Sequence, residues 1–165
     1  MVSGKTLLLA GVLVVVAGVL AVRYWPDDER AIRNQLAVIE AAGSKDAAEP
    51  PVEALVKATR LANLFGDPCR LTVEAMRHTG SYPRKQIQER IVLVRSFYTQ
   101  VQVALHDLAI DLPENNSAVI RGTIRLRGQG TNEAIADVQE LRAEMAKIDG
   151  QWLFTAVEIV QVLER

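Results

Sequence analysis

From Thr6 to Val22 every position is apolar or neutral (TLLLAGVLVVVAGVLAV), so the run has no charged face at any period. At ~1.5 Å per residue it just reaches across a ~30 Å hydrocarbon layer, where a helix bonds every backbone group internally. Lys5 on one side and Arg23, Tyr24 and Trp25 on the other suit the headgroup level. The pattern predicts a single-pass transmembrane anchor over 1–25 and one domain over 26–165. The competing reading is a cleavable signal peptide with its site near Val19-Leu20-Ala21.

Beyond Trp25 the pattern becomes amphipathic. Pro26-Asp27-Asp28-Glu29 opens a helix, with acids at the positive end of its dipole. Ile32, Leu36 and Ile39 follow at helical spacing, and Gly43-Ser44 ends the run. Lys45 to Pro51 (KDAAEPP) is a polar linker. A second helix is expected from Val52 to Phe65, with Leu55, Thr59, Ala62 and Phe65 on one face and Leu61 and Leu64 beside it. A short strand over Cys69–Met76 and a turn at Gly80-Ser81-Tyr82-Pro83 lead to a third helix reaching about Tyr98. Its buried stripe is Ile87, Ile91, Val94 and Tyr98.

From Thr99 the period switches to two. Strands are expected over Gln100–Leu112 and Ala118–Arg127, then up to Ile148, then over Gln151–Leu163. The last two are joined by Asp149-Gly150, a pair that accepts the positive φ of a tight primed turn. The expected fold class is α+β: a transmembrane helix, then three helices packed in a curved antiparallel sheet, a cone-shaped roll.

Composition removes several function classes. Lys and Arg number 19 against 20 Asp and Glu, for a net charge of −1, and the basic residues are scattered. No nucleic-acid footprint follows from that distribution. Cys69 is the single cysteine, which excludes an intrachain disulfide and a thiolate metal site. Two distant histidines without a third ligand give no metal centre, and no phosphate loop or nucleophilic triad is present. No cofactor is expected.

Two places could carry chemistry. Val101, Val103 and Leu105 share one parity, whereas Leu108, Ile110 and Leu112 have the other. Keeping both groups inward requires an extra residue, which predicts a β-bulge near His106-Asp107, where side chains are re-aimed. His106 and Asp107 are therefore acid/base candidates, with plain solvent exposure as the alternative. Pairing across Asp149-Gly150 sets Met145 against Phe154, Ala143 against Ala156 and Leu141 against Glu158. That register puts Glu158 on the apolar face as a candidate buried acid or base, unless a second bulge turns it out or an arginine pairs with it. The opposite face carries Arg121, Thr123, Arg125, Arg127, Glu140, Arg142 and Glu144, which reads as a solvated salt ladder. Leu153, Val157 and Ile159 add apolar surface there, where a homodimer could form.

Two helices, a short strand, a third helix and a four-strand curved meander resemble the order of the nuclear-transport-factor-2-like superfamily. That cystatin-like cone is shared with ketosteroid isomerase and the polyketide-cyclase-like proteins. The resemblance covers about residues 27 to 164. It rests on Leu64-Phe65-Gly66-Asp67-Pro68-Cys69 before the first strand and on Lys147-Ile148-Asp149-Gly150-Gln151-Trp152 at the last hairpin. Active members place a catalytic Asp or His in the cone, and no motif here maps onto such a residue.

The expected function is a membrane-anchored, non-enzymatic domain, displayed outside a bacterial inner (cytoplasmic) membrane, that binds a protein partner or a small apolar ligand. The alternative is a small enzyme doing isomerase-, cyclase- or dehydratase-like proton transfer on a hydrophobic substrate, through Glu158, His106 or Asp107.

Overall fold

The computed structural model describes residues 28–74, 77–130 and 134–161. Helix α1 (Asp28–Gly43) and helix α2 (Pro51–Ala62) precede strands β1 (Phe65–Val73) and β2 (His78–Tyr82). Helix α3 (Arg84–Ser96) leads into β3 (Tyr98–Glu114), β4 (Ser117–Gly130), β5 (Ala134–Ile148) and β6 (Gln151–Gln161). The strands form one sheet in the order β2-β1-β6-β5-β4-β3.

This architecture corrects the expected fold class. The α+β roll stands, but the sheet is mixed: β1 runs parallel to β6, and the meander β3–β6 is antiparallel. The segment around Gly80 is a sixth strand and not only a turn, because His78 to Tyr82 zips antiparallel onto β1. Among the described residues there are three helices, and none is long and apolar enough to cross a membrane. The expected span Thr6–Val22, with Lys5, Arg23, Tyr24 and Trp25, lies outside the described residues.

Helices line one face of the sheet and bury the core there. Ile32 and Leu36 of α1 and Ile87 of α3 meet Cys69, Leu105, Ile120, Leu141, Met145 and Phe154 from the strands. The stripe of α1 follows its predicted spacing. That of α2 is rotated: Ala58, Leu61 and Ala62 are buried, whereas Leu55 is exposed. Small residues at 58 and 62 let α2 approach closely, which the larger Leu55 would have prevented. Val94 of α3 is exposed as well, and Arg95 beside it is buried.

Long-range polar contacts fix α1 at both ends. At its start, Lys147 Nζ and Trp152 Nε1 donate to Asp28 Oδ1 at 2.7 and 2.9 Å, tying the helix to the β5–β6 hairpin. Asp149 (φ 50°) and Gly150 (φ 78°) make the primed turn between them. At its end, α1 covers the edge of β3. Lys45 and Val101 exchange backbone hydrogen bonds, Val103 N donates to Ser44 Oγ, and Leu105 N donates to Glu40 Oε1. A bare edge would be a template for pairing with another chain, and these groups occupy it.

A buried ion network locks the linker after α1. Arg95, 6% exposed, donates to the carbonyls of Ala42, Gly43 and Ser44, so its guanidinium caps the C-terminus of α1. It also holds both carboxylate oxygens of Glu49 at 2.6 and 2.8 Å, and Lys57 bonds the same carboxylate at 2.9 Å.

Burial alone would raise the Glu49 pKa, but the hydrogen bonds and charges of Arg95 and Lys57 hold it below 4.5. Hydrogen bonds from Lys147 and Trp152 hold Asp28 below 3.8. A carboxyl whose folded pKa is depressed stabilises the fold fully above its unfolded pKa, and that contribution disappears as pH falls through the folded value. Thermal melts are therefore expected to be level between about pH 6 and 7 and to drop below about pH 4. A melting temperature unchanged down to about pH 3 would contradict this assignment.

Candidate functional site

The bulge expected at His106-Asp107 is present. Register with β4 shifts between His106 and Ala109, and Asp107 takes φ 52°, a left-handed conformation that Asp tolerates better than most residues. Gly122 on β4 permits the close approach there: a Cβ on it would lie 2.8 Å from Leu108 Cδ2 and 3.0 Å from the His106 carbonyl oxygen. Leu108 and Ile110 consequently pack against the core with Leu105.

A second bulge decides the position of Glu158. Met145 pairs with Phe154, but Glu144 pairs with Ala156, so Thr155 is inserted and its hydroxyl donates to the Glu144 carbonyl at 3.2 Å. Beyond it Ala143 faces Val157, Arg142 faces Glu158 and Leu141 faces Ile159. Val157 and Ile159 thereby turn toward the core, and Glu158 turns to the outer face beside Arg142 at 3.8 Å. This corrects both the expected buried carboxylate and the expected apolar outer strip.

On that outer face lies a cavity of about 440 Å³ lined by Glu74, Asp107, Arg121, Thr123, Glu140, Arg142 and Glu158, among others. The structure thus brings together Asp107 and Glu158, two of the three candidate residues. His106 is exposed and opens instead onto a separate 200 Å³ depression with Gln102, Arg125 and Arg127. Four carboxylates face two guanidiniums in the larger cavity. Arg121 is drawn further by Asp111 at 2.5 Å, and among the described residues no cation lies within ion-pair reach of Glu74, Asp107 or Glu140. The cavity therefore carries surplus negative charge beside a hydroxyl, Thr123, and an apolar rim of Leu141 and Val160.

Inside the cone the arrangement is different. The hollow is packed by Ile32, Leu36, Leu105, Ile120, Leu141, Met145 and Phe154. Cys69 is fully buried within it, and burial pushes its thiol up to about 11. Alkylation of Cys69 by a soluble reagent near pH 7 is expected to require unfolding, since only the thiolate reacts. Rapid labelling of the native chain would contradict that burial.

One polar cluster escaped the sequence reasoning. His78 Nε2 bonds Tyr82 Oη, and the Arg90 guanidinium stacks over the Tyr82 ring at 4.4 Å. His78 and Tyr82 share a face of β2, a pairing that became visible only once this segment was known to be a strand. Arg121, Glu140 and Arg142 were legible as a charged sheet face but not as a cavity, because the bulge at Asp107 shapes the recess.

No family model matches the sequence, and no curated protein sequence matches it. Solved structures do match the fold. A candidate scytalone dehydratase from Novosphingobium aromaticivorans aligns over 82% of this chain and 85% of its own, with a TM-score of 0.66 and 17% identity. The hexachlorocyclohexane dehydrochlorinase LinA-type3 from Novosphingobium barchaimii aligns over 84% and 95%, with a TM-score of 0.64 and 16% identity. A cystatin-like-fold protein of unknown function from Nostoc punctiforme aligns over 81% and 90%, with a TM-score of 0.60 and 10% identity. The chain carries the cone-shaped fold of the nuclear-transport-factor-2-like superfamily, a scaffold that enzymes also use.

Proposed function

We propose that the domain is a binding module that holds a small cationic ligand, an amine or guanidine, in the outer-face cavity. The observation that carries this reading is the charge imbalance there: Glu74, Asp107, Glu140 and Glu158 against Arg121 and Arg142. A ligand cation would meet Glu74, Asp107 and Glu140, which no described cation neutralises, and charge-assisted hydrogen bonds are the stronger kind. The side-chain packing of the hollow supports the same reading, because Ile32, Leu36, Met145 and Phe154 occupy the interior of the cone. The test is calorimetric titration of the full chain with agmatine, putrescine and uncharged 1,4-butanediol. Saturable binding of the amines, weakened about tenfold or more in Glu140→Gln, is the expected result. Equal behaviour of diol and amines would overturn it.

A second reading is proton-transfer catalysis on a hydrophobic substrate. The names of the neighbouring structures, a dehydratase and a dehydrochlorinase, favour it more than the first. Asp107 and Glu158 in one cavity would serve as base and acid. Solvent-deuterium incorporation into a panel of cyclic ketones and haloalkanes, abolished in Asp107→Asn or Glu158→Gln, would replace the first reading with this one.

A further inference from the structure

Beside the acidic cavity the same sheet face changes sign. The depression of about 200 Å³ onto which His106 opens is lined by Gln102, Ala104, His106, Arg125 and Arg127, and no carboxylate stands in its wall. Strand register explains why. Along β4, Thr123, Arg125 and Arg127 are paired on the β3 side with His106, Ala104 and Gln102. On the β5 side they are paired with Glu140, Val138 and Ala136. In a salt ladder each arginine would oppose an acid on a neighbouring strand. Arg125 instead lies between Ala104 and Val138, and Arg127 between Gln102 and Ala136.

The described carboxylates closest in register are Glu140, diagonal to Arg125, and Asp107, which follows His106. Neither reaches these arginines: the ion pairs of the outer face join Arg121 to Asp111, Arg142 to Glu158 and Arg70 to Glu144. Two guanidiniums on one face without a described counter-charge repel each other. An oxyanion between them would relieve that repulsion and accept from both forks, with Gln102 and His106 as further donors.

The depression is smaller than a whole-ligand pocket, so it suits one end of a ligand. Its neighbour holds the opposite charge. Asp107 and Thr123, which line the acidic cavity, adjoin His106 and Arg125 in the basic one. At about 3.3 Å per residue, Arg125 and Arg127 stand about 7 and 13 Å along β4 from the Thr123–Glu140 pair. Val138, 42% exposed, puts apolar surface between Glu140 and the level of Arg127.

We infer that the ligand of the outer face is a linear zwitterion, an ω-amino or ω-guanidino acid. Its cation sits in the acidic cavity, its hydrocarbon chain crosses Val138, and its carboxylate lies between Arg125 and Arg127. This inference rests on the cationic-ligand reading and adds a second charge to that ligand.

The test is calorimetric titration of the full chain with 6-aminohexanoate at one fixed salt concentration, with hexylamine, hexanoate and the short zwitterion β-alanine as controls. 6-Aminohexanoate is expected to bind saturably and at least about tenfold more tightly than any control. Arg125→Gln combined with Arg127→Gln should remove that advantage without lowering the affinity for hexylamine, whereas Glu140→Gln should weaken both amines. Hexylamine or β-alanine binding as tightly as 6-aminohexanoate, or an advantage that survives the double substitution, would overturn the inference. The cationic-ligand reading would then stand as long as hexylamine still bound in a Glu140-dependent way. No binding of any amine would overturn both.

Discussion

Replacing Arg95 with Met is expected to lower the stability of the domain by about 3–5 kcal/mol, the usual loss when one partner of a buried ion pair is removed. The side chain of Glu49 is 1% exposed, and Arg95 supplies two of its hydrogen bonds. Without the guanidinium, only Lys57 would remain on that carboxylate. The carbonyls of Ala42, Gly43 and Ser44 would also lose their donor, and with it the C-terminal closure of α1. That closure positions Ser44 and Lys45 against the edge of β3, so the damage should spread from the linker into the sheet. Adding Glu49→Gln to Arg95→Met should recover part of the loss, because a neutral amide is far cheaper to leave buried than a carboxylate. Urea denaturation of the single and double variants gives both values. A loss below about 1 kcal/mol for the single variant would place the pair in solvent.

Truncating Phe154 to Ala should cost a similar amount, about 3–5 kcal/mol, by a different mechanism. Phe154 is 1% exposed and is among the largest fully buried side chains. Its ring packs against Phe65 at a 41° tilt, 5.7 Å between centroids, and its backbone N donates to the Leu64 carbonyl. It lies where the parallel β1 joins β6 and one residue before the Thr155 bulge. The cavity left by an alanine could close only if β1 or β6 moved, and the bulge restricts that movement. A Phe154→Leu variant, which keeps most of the volume, should lose much less. Similar losses for both substitutions would mean that the ring's own packing, and not the filled volume, carries the effect.

Much of this fold was readable from residue patterns, for identifiable reasons. The period-two runs from Thr99 onward and the Asp149-Gly150 turn are local signals, and they correspond to β3–β6. The parity change between Leu105 and Leu108 is also local, and it located the first bulge. The second bulge leaves no such mark. Thr155 lies between Phe154 and Ala156, a sequence that continues an inward–outward alternation in either register. Only the packing of Val157 and Ile159 into the core selects the shifted one, and that selection carries Glu158 outward. Strand β2 was hidden because Gly80, Ser81 and Pro83 carry turn chemistry, and only its partner β1 makes the segment extended. Glu49 and Arg95 are 46 residues apart, and nothing in the polar stretch KDAAEPP or in the run Val94-Arg95-Ser96 marks them as partners. The buried pair is a product of tertiary packing.

The proposed working surface is the recess outside the sheet, with the cone itself serving as a packed support. Methyl and amide NMR of the full chain titrated with agmatine addresses this directly. Shifts confined to Thr123, Glu140, Arg142 and Glu158, with Leu105, Ile120 and Met145 unmoved, are the expected result. Movement of the interior methyls with the outer strands silent would mean that the hollow opens to ligand and that the outer recess is not the site.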